Sequence, residues 1–246
     1  MKTSVIIPCR NESESLPETV RSLDAALSGA GCDFEILLVD DGSEDNTWSV
    51  IQDLARIHAH VRPVRNEGIH GFGMAIRRGL EEARGDILAP FMADLSDSPQ
   101  DLLQYVEIIK QGHDCAFGSR FISGGGAVDY PWHKLVLNRL ANTFIRLLFG
   151  LHYNDTTNAF KAYRREVIEG ISPVLSRHYN LTVEMPLKAI VRGYSHAVIP
   201  ISWHHRKRGI SKLKIQEMGS RYLFIVLHVW LEKMLSRGDY RRKPID

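Results

Sequence analysis

The chain has 246 residues, 44% of them hydrophobic and 24% charged, with a formal net charge of +2. Such a length and composition fit one large α/β domain, or a domain with a short appendage, and nothing in them has the composition of a disordered chain. The near balance of charge gives no sign of a nucleic-acid partner, and three cysteines without framework spacing (Cys9, Cys32, Cys115) argue against a disulfide scaffold and for a reduced, cytoplasmic setting.

No signal-peptide pattern opens the sequence; a strand begins at once, over residues 2–8, and Pro8 ends it. Residues 13–26 follow with Leu16, Val20 and Leu23 on one helical face. Residues 34–39 are a continuous apolar run rather than an alternating one, the pattern of a strand covered on both faces. A helix over 46–58 turns Trp48, Ile51, Leu54 and Ala55 inward, and a third strand spans 61–65. A helix over 72–84, a strand over 86–91, a helix over 100–112 and a strand over 115–118 continue the alternation. This order predicts βαβ units and a mostly parallel, twisted sheet, in which ligands bind beyond the carboxyl ends of the strands.

Past that point residues 123–131 form a flexible break, 134–149 an apolar helix and 197–203 a late strand. Residues 215–236 form a long amphipathic helix with Ile215, Met218, Tyr222, Ile225, Val226, Val229, Trp230 and Lys233 at helical spacing, and a basic tail follows. The run at 222–231 is shorter than the ~20 apolar residues that span a bilayer. The helix therefore suits a membrane interface, or a dock on the core or on a second copy of the chain. The expected division is a domain over 1–213 and a helix-and-tail segment over 214–246.

Chemistry is expected where polar residues follow strands. Pro8-Cys9-Arg10-Asn11-Glu12 follows the first; a plain helix cap at Asn11 or Ser13 explains it equally well. Asp40-Asp41-Gly42-Ser43 follows the second, and two adjacent carboxylates there need a hydrogen-bonding or cationic partner. Ser43 and Asp45 also suit a capping turn, and both readings hold if one aspartate caps while the other binds. Gly68-Ile69-His70-Gly71-Phe72-Gly73 lets backbone approach a diphosphate, but it follows the wrong strand for a dinucleotide fingerprint, which excludes a Rossmann dehydrogenase.

Ala93-Asp94-Leu95-Ser96-Asp97 can hold a hard divalent cation through Asp94 and Asp97, against the alternative of a cap for the helix that Pro99 starts. Gly118-Ser119-Arg120 offers a guanidinium fork to a phosphate, or a surface ion pair. In Asp155-Thr156-Thr157-Asn158-Ala159-Phe160-Lys161, with Glu184 further on in an apolar stretch, an acidic group could act as a general base; Glu184 is otherwise half of a buried ion pair. Residues 206–212, from Arg206 to Lys212, are a basic loop suited to phosphate or simply a solvated face.

As an ordered set, VIIPCRNE, LLVDDGSEDNT, GFGMAIRRG, MADLSDSP, GSR, DTTNAFKAY and RKRGISKL resemble glycosyltransferase family 2, and within it the polyprenyl- or dolichol-phosphate mannose synthase branch. The resemblance runs from Ser4 to about Leu213 and implies a GT-A fold, a Rossmann-like mixed sheet flanked by helices. It implies that Pro8, Arg10, Glu12, Val39, Asp41, Gly71, Ala93 and Asp94 surround a nucleotide-diphosphate sugar. Asp94, with Asp97, would hold Mg or Mn; Arg120, Arg206 and Lys212 would bind phosphates of donor or acceptor.

A polyprenyl or dolichyl phosphate would accept the hexose with inversion, and the enzyme would work peripherally on the cytoplasmic face of a membrane. Catalytic roles fall to Asp94, Arg120 and, for a saccharide acceptor, Glu184. Three departures stand out: Met92 replaces the first aspartate of the acidic triplet, Arg10 replaces an aromatic, and Ile69 with His70 replaces a lysine. The alternatives are transfer to a saccharide and a nucleotide-sugar-binding protein without turnover.

Overall fold

A computed structural model describes residues 1–204, 215–236 and 238–242. Seven strands build one sheet: β1 (Lys2–Cys9), β2 (Asp33–Asp40), β3 (Val61–Arg65), β4 (Ile87–Pro90), β5 (Cys115–Ser119), β7 (Lys161–Arg164) and β8 (His196–Pro200). Their order is β3-β2-β1-β4-β7-β5-β8, parallel except for β7, which runs antiparallel to both neighbours. A separate ribbon pairs β6 (Gly126–Val128) with β9 (Ser202–His204).

The continuous apolar strands are continuous because both faces are covered. In β2, Phe34, Ile36 and Leu38 enter one core while Leu37 and Val39 enter the other. The first core lies under α1 (Leu16–Gly29), α2 (Thr47–Ile57) and α4 (Pro99–Lys110); the second lies under α3 (Phe72–Glu82), α6 (Arg165–Gly170) and α7 (Leu181–Val191). Period-two geometry splits one apolar run between two layers. Ser98 caps α4 by accepting from the Gln100 N–H, and Pro99 opens it as expected.

A third core joins α5 (Trp132–Phe149), α7 and α8 (Ile215–Leu235) through Ile145, Phe149, Val183, Leu187, Val226 and Val229. Helices α6 and α7 have no counterpart in the sequence reading, and other elements depart from it. The break at 123–131 contains β6. The late strand over 197–203 divides at Ile201, giving β8 to the main sheet and β9 to the ribbon. And β7 fills the middle of the sheet although its first residue is a lysine. No described helix is long and apolar enough to cross a membrane.

Candidate active site

The parallel register sets Pro8 beside Val39 and Cys9 beside Asp40, so the loops after β1 and β2 lie together. They are laced by hydrogen bonds. The Asn11 N–H donates to Ser43 Oγ at 3.0 Å and the Glu44 N–H to Asn11 Oδ1 at 2.8 Å, with Asn11 itself at φ 52°. The Glu12 N–H donates to Thr47 Oγ1 at 2.9 Å, and Ser13 Oγ donates to Asp45 Oδ2 at 2.7 Å. Burial raises the Asp45 carboxyl, but bonds from Thr47 and Ser13 outweigh it and hold the group below its ordinary value. Asp45 is thus the capping acid of this turn. Arg10 stands exposed at the rim, Glu12 and Pro8 are half-buried, and Val39 is enclosed, so it offers backbone rather than side chain.

Asp41 points elsewhere. It is buried; Oδ1 accepts from Asn66 Nδ2 at 2.7 Å and Oδ2 from the Gly71 N–H at 2.8 Å, while His70 Nδ1 lies 3.3 Å from Oδ1. The structure thereby ties the second and third polar loops into one wall. Gly42, at φ +70°, has the His70 ring where a side chain would be: a Cβ there would stand 2.7 Å from that ring. Gly71, at φ +152°, leaves equally little room, since a Cβ would fall 2.6 Å from the Arg177 carbonyl. The Gly73 N–H donates to that carbonyl at 3.0 Å.

Asp94 and Asp97 follow β4. Asp94 is half-buried and its Oδ1 accepts from the Ser96 N–H at 3.1 Å; Leu95 between them adopts φ 54°. Asp97 is enclosed, and its Oδ2 accepts from the Met92 N–H at 3.1 Å. Burial first, and then the neighbouring Asp94 carboxylate, push Asp97 up to about 7. Ala93 is buried and its carbonyl accepts from Thr19 Oγ1 at 2.7 Å. No group of three or more His, Cys, Asp or Glu converges among the described residues. Two carboxylates suit a hard cation that completes its shell with water and diphosphate oxygens.

Arg120 follows β5 and is buried. Its Nε donates to Asp155 Oδ2 at 2.8 Å and its Nη2 to Oδ1 at 2.6 Å, and its backbone N–H donates to Oδ2 at 3.0 Å. The surface ion pair considered for Arg120 is therefore a buried, bidentate one. Phe121, Tyr130 and Trp203 surround the guanidinium, with ring centroids 5.2, 5.7 and 5.9 Å from it.

Glu184 forms the buried ion pair that the sequence offered as the alternative to a general base. It is wholly buried; Oε1 and Oε2 each accept a backbone N–H, from Leu175 and Ser176, at 2.7 Å, and Lys188 Nζ lies 2.7 Å from Oε1. What it holds is the 175–178 segment on which Gly71 and Gly73 rest. Arg206 and Lys212 lie outside the described residues.

Four further residues matter here, and sequence reasoning missed two of them, Asn66 and Arg139. Asn66 orients Asp41, and Asp155 orients Arg120. Lys161 is buried and donates to the carbonyls of Thr156 and Thr182 at 3.0 and 3.2 Å, and to that of Asn158. Arg139 of α5 stacks on Phe121, its guanidinium 4.4 Å from the ring. Asp155 and Lys161 had a signal, lying in a motif already singled out; Asn66 and Arg139 are single polar residues with no pattern.

Beside Arg120 lies an apolar cavity of about 340 Å³ between α5 and α8, lined by Tyr130, Lys134, Leu137, Phe144, Thr157, Tyr222 and Leu223 among others. Tyr130 belongs both to this cavity and to the ring of aromatics around Arg120.

Residues 4–172 match the family model described as Glycosyl transferase family 2. The chain is 36% identical over 223 residues to the polyprenol monophosphomannose synthase of Mycolicibacterium smegmatis, covering 86% of this chain and 81% of that protein. It is 35% identical over 219 residues to the dolichol-phosphate mannosyltransferase of Pyrococcus furiosus, covering 87% of this chain and 60% of that protein. Among solved structures, the glucosyl-3-phosphoglycerate synthase of Mycobacterium tuberculosis with Mn2+ and UDP-glucose superposes with a TM-score of 0.68 at 17% identity, over 94% of this chain and 78% of that one. The same enzyme with phosphoglyceric acid gives 0.68 at 18% identity, over 94% and 79%. The fold is of the GT-A type.

Proposed function

The chain belongs to glycosyl transferase family 2, and from that premise we propose that it transfers a hexose, of mannose or glucose type, from a nucleotide-diphosphate sugar to a polyprenyl or dolichyl phosphate. One observation carries the reading: the buried Arg120 after β5, an electrostatic neighbour of Asp97 in the acidic loop, lies beside Tyr130, which lines an apolar cavity, so a charged site and a lipid-compatible one adjoin. The relatives named for polyprenol and dolichol-phosphate substrates support the same acceptor.

In this reading Pro8, Arg10, Glu12, Val39 and Asp41 enclose the nucleoside. Gly71 brings backbone close to the donor, and Ala93 and Asp94 lie at its diphosphate. Asp94, with Asp97 behind it, would hold a divalent cation, Mg or Mn. Such a cation, when bound, neutralises charge on the leaving diphosphate. An oxygen of the acceptor phosphate attacks the anomeric carbon as the bond to the nucleoside diphosphate breaks, and the electron pair leaves with the diphosphate; configuration inverts. A phosphate is already ionised near neutral pH, so no side chain need abstract a proton. The chain's residues position and electrostatically stabilise the reacting groups. This favours a lipid phosphate over a saccharide acceptor, because a hydroxyl would need a base and Glu184 has both oxygens engaged.

Peripheral membrane contact is part of the proposal. Along α5, Trp132, Leu140 and Leu147 are 76, 63 and 73% exposed, and on α8 Phe224 is 64% exposed. Three free cysteines accord with the cytoplasmic face.

The test is a thermal-shift screen of GDP- and UDP-sugars with Mg, with Mn and with chelator. A transfer assay from labelled donor to polyprenyl phosphate follows. Labelled product in the organic phase is expected; its absence with every nucleotide sugar would sink the proposal.

A further inference from the structure

The charge balance around Arg120 leaves a question for any phosphate that arrives there. Arg120 is held in its plane by Asp155 and is neutralised by it: two N–H groups and the backbone N–H are engaged by one buried carboxylate. Such a pair orients well but offers little net positive charge. A phosphate monoester brings up to two negative charges, so a cation without a carboxylate partner is needed nearby.

Arg139 meets that need. It stands on α5, directly after Asn138, whose Nδ2 donates to Thr157 Oγ1 at 2.9 Å. Asn142 donates to the same oxygen at 2.9 Å. These bonds fix α5 to the segment that carries Asp155, two residues before Thr157. Arg139 and Arg120 share one ring, their guanidinium carbons 4.4 and 5.2 Å from the Phe121 centroid. Yet Arg139 makes no ion pair among the described residues, and its Nη1 is buried with no hydrogen-bond partner. A buried cationic N–H without an acceptor costs free energy, and in folded proteins a water or an ion ordinarily completes such a group.

We propose that Arg139 binds the phosphate of the acceptor, supplying the uncompensated positive charge beside the Asp155-fixed Arg120. This rests on the transferase reading above, and it adds a residue that the family-derived site lacks. The ligand class is a phosphate monoester whose apolar chain runs into the cavity between α5 and α8. Lys134, which lines that cavity, stands on the same helix.

The experiment compares the full chain with Arg139→Gln and Arg139→Lys, using a water-soluble short-chain prenyl phosphate as acceptor. Removing a charge-assisted phosphate contact costs roughly tenfold or more in affinity. The expected result is a KM for the acceptor raised about tenfold or more in R139Q, partly restored in R139K, with donor KM and Tm unchanged. An unchanged acceptor KM, or an equal rise in donor KM, overturns the proposal. A fall in Tm with acceptor KM unaltered does so too, because it assigns Arg139 to packing. Calorimetry runs in parallel with the same probe, with inorganic phosphate and with the unphosphorylated alcohol. Loss of affinity in R139Q for the prenyl phosphate, and not for the alcohol, sustains the phosphate contact; tighter binding of the prenyl phosphate than of inorganic phosphate identifies the lipid as its source. Equal affinity of R139Q and parent for the prenyl phosphate refutes the contact. If the parent transfers no sugar, the transferase reading fails, while the calorimetric comparison still decides Arg139.

Discussion

At the scale of residues, neighbouring carboxylates in this chain divide their labour by environment. Asp45 caps, Asp41 ties two loops together, and Asp94 remains half-buried after β4, with Oδ1 accepting the Ser96 N–H. Asp94→Ala should therefore abolish transfer, by 100-fold or more on the scale of a lost electrostatic contact, while Tm stays within a few degrees in a melting experiment. Glu184→Gln should do the reverse. It breaks a buried pair and costs about 3 kcal/mol in urea unfolding, with kcat per folded molecule little changed. Glu35 gives a pH signature. Burial raises its carboxyl, but bonds from Ser4, Arg62 and the Arg84 N–H outweigh this and hold it below its ordinary value. A lowered folded-state value stabilises above the unfolded one and fades as pH falls through it. The Tm gap between parent and Glu35→Gln should be constant above about pH 5 and close below pH 4.

At the scale of elements, α5 and α8 are the parts whose sequence is easiest to read and whose outer face is hardest to explain without a partner. Each buries one side in the third core and leaves large apolar residues outward. Exposed apolar rows of this extent mark an interaction surface. Phe224→Asp should lower co-sedimentation with anionic vesicles several-fold and leave Tm unchanged.

The sheet strands and most helices were legible because apolar runs and helical spacing are direct consequences of burial. So were the loops after strands, because the sheet's polarity dictates them. Others were not, α7 and β7 among them. In α7 a proline and the charged pair Glu184–Lys188 interrupt the pattern, and only tertiary packing shows that the pair is buried. In β7 four residues begin with Lys161, whose ammonium is satisfied by carbonyls that the sequence cannot place together. The same limit hid Asn66 and Arg139: a lone polar residue carries no period.

At the scale of the molecule, the antiparallel β7 has a consequence for synthesis. Strands β1 to β4 pair among themselves from the first ninety or so residues, but β4 and β5 meet only through β7, which arrives some seventy residues after β4. Until the ribosome has delivered residue 164, both strands display open edges, and open edges invite pairing with other chains. Nascent chains of intermediate length are therefore the vulnerable species, and a holdase would act in that window. A fragment ending at residue 150 should sediment as aggregate when expressed, whereas one ending at 204 should partition to the supernatant, a comparison that needs only a centrifuge and a gel.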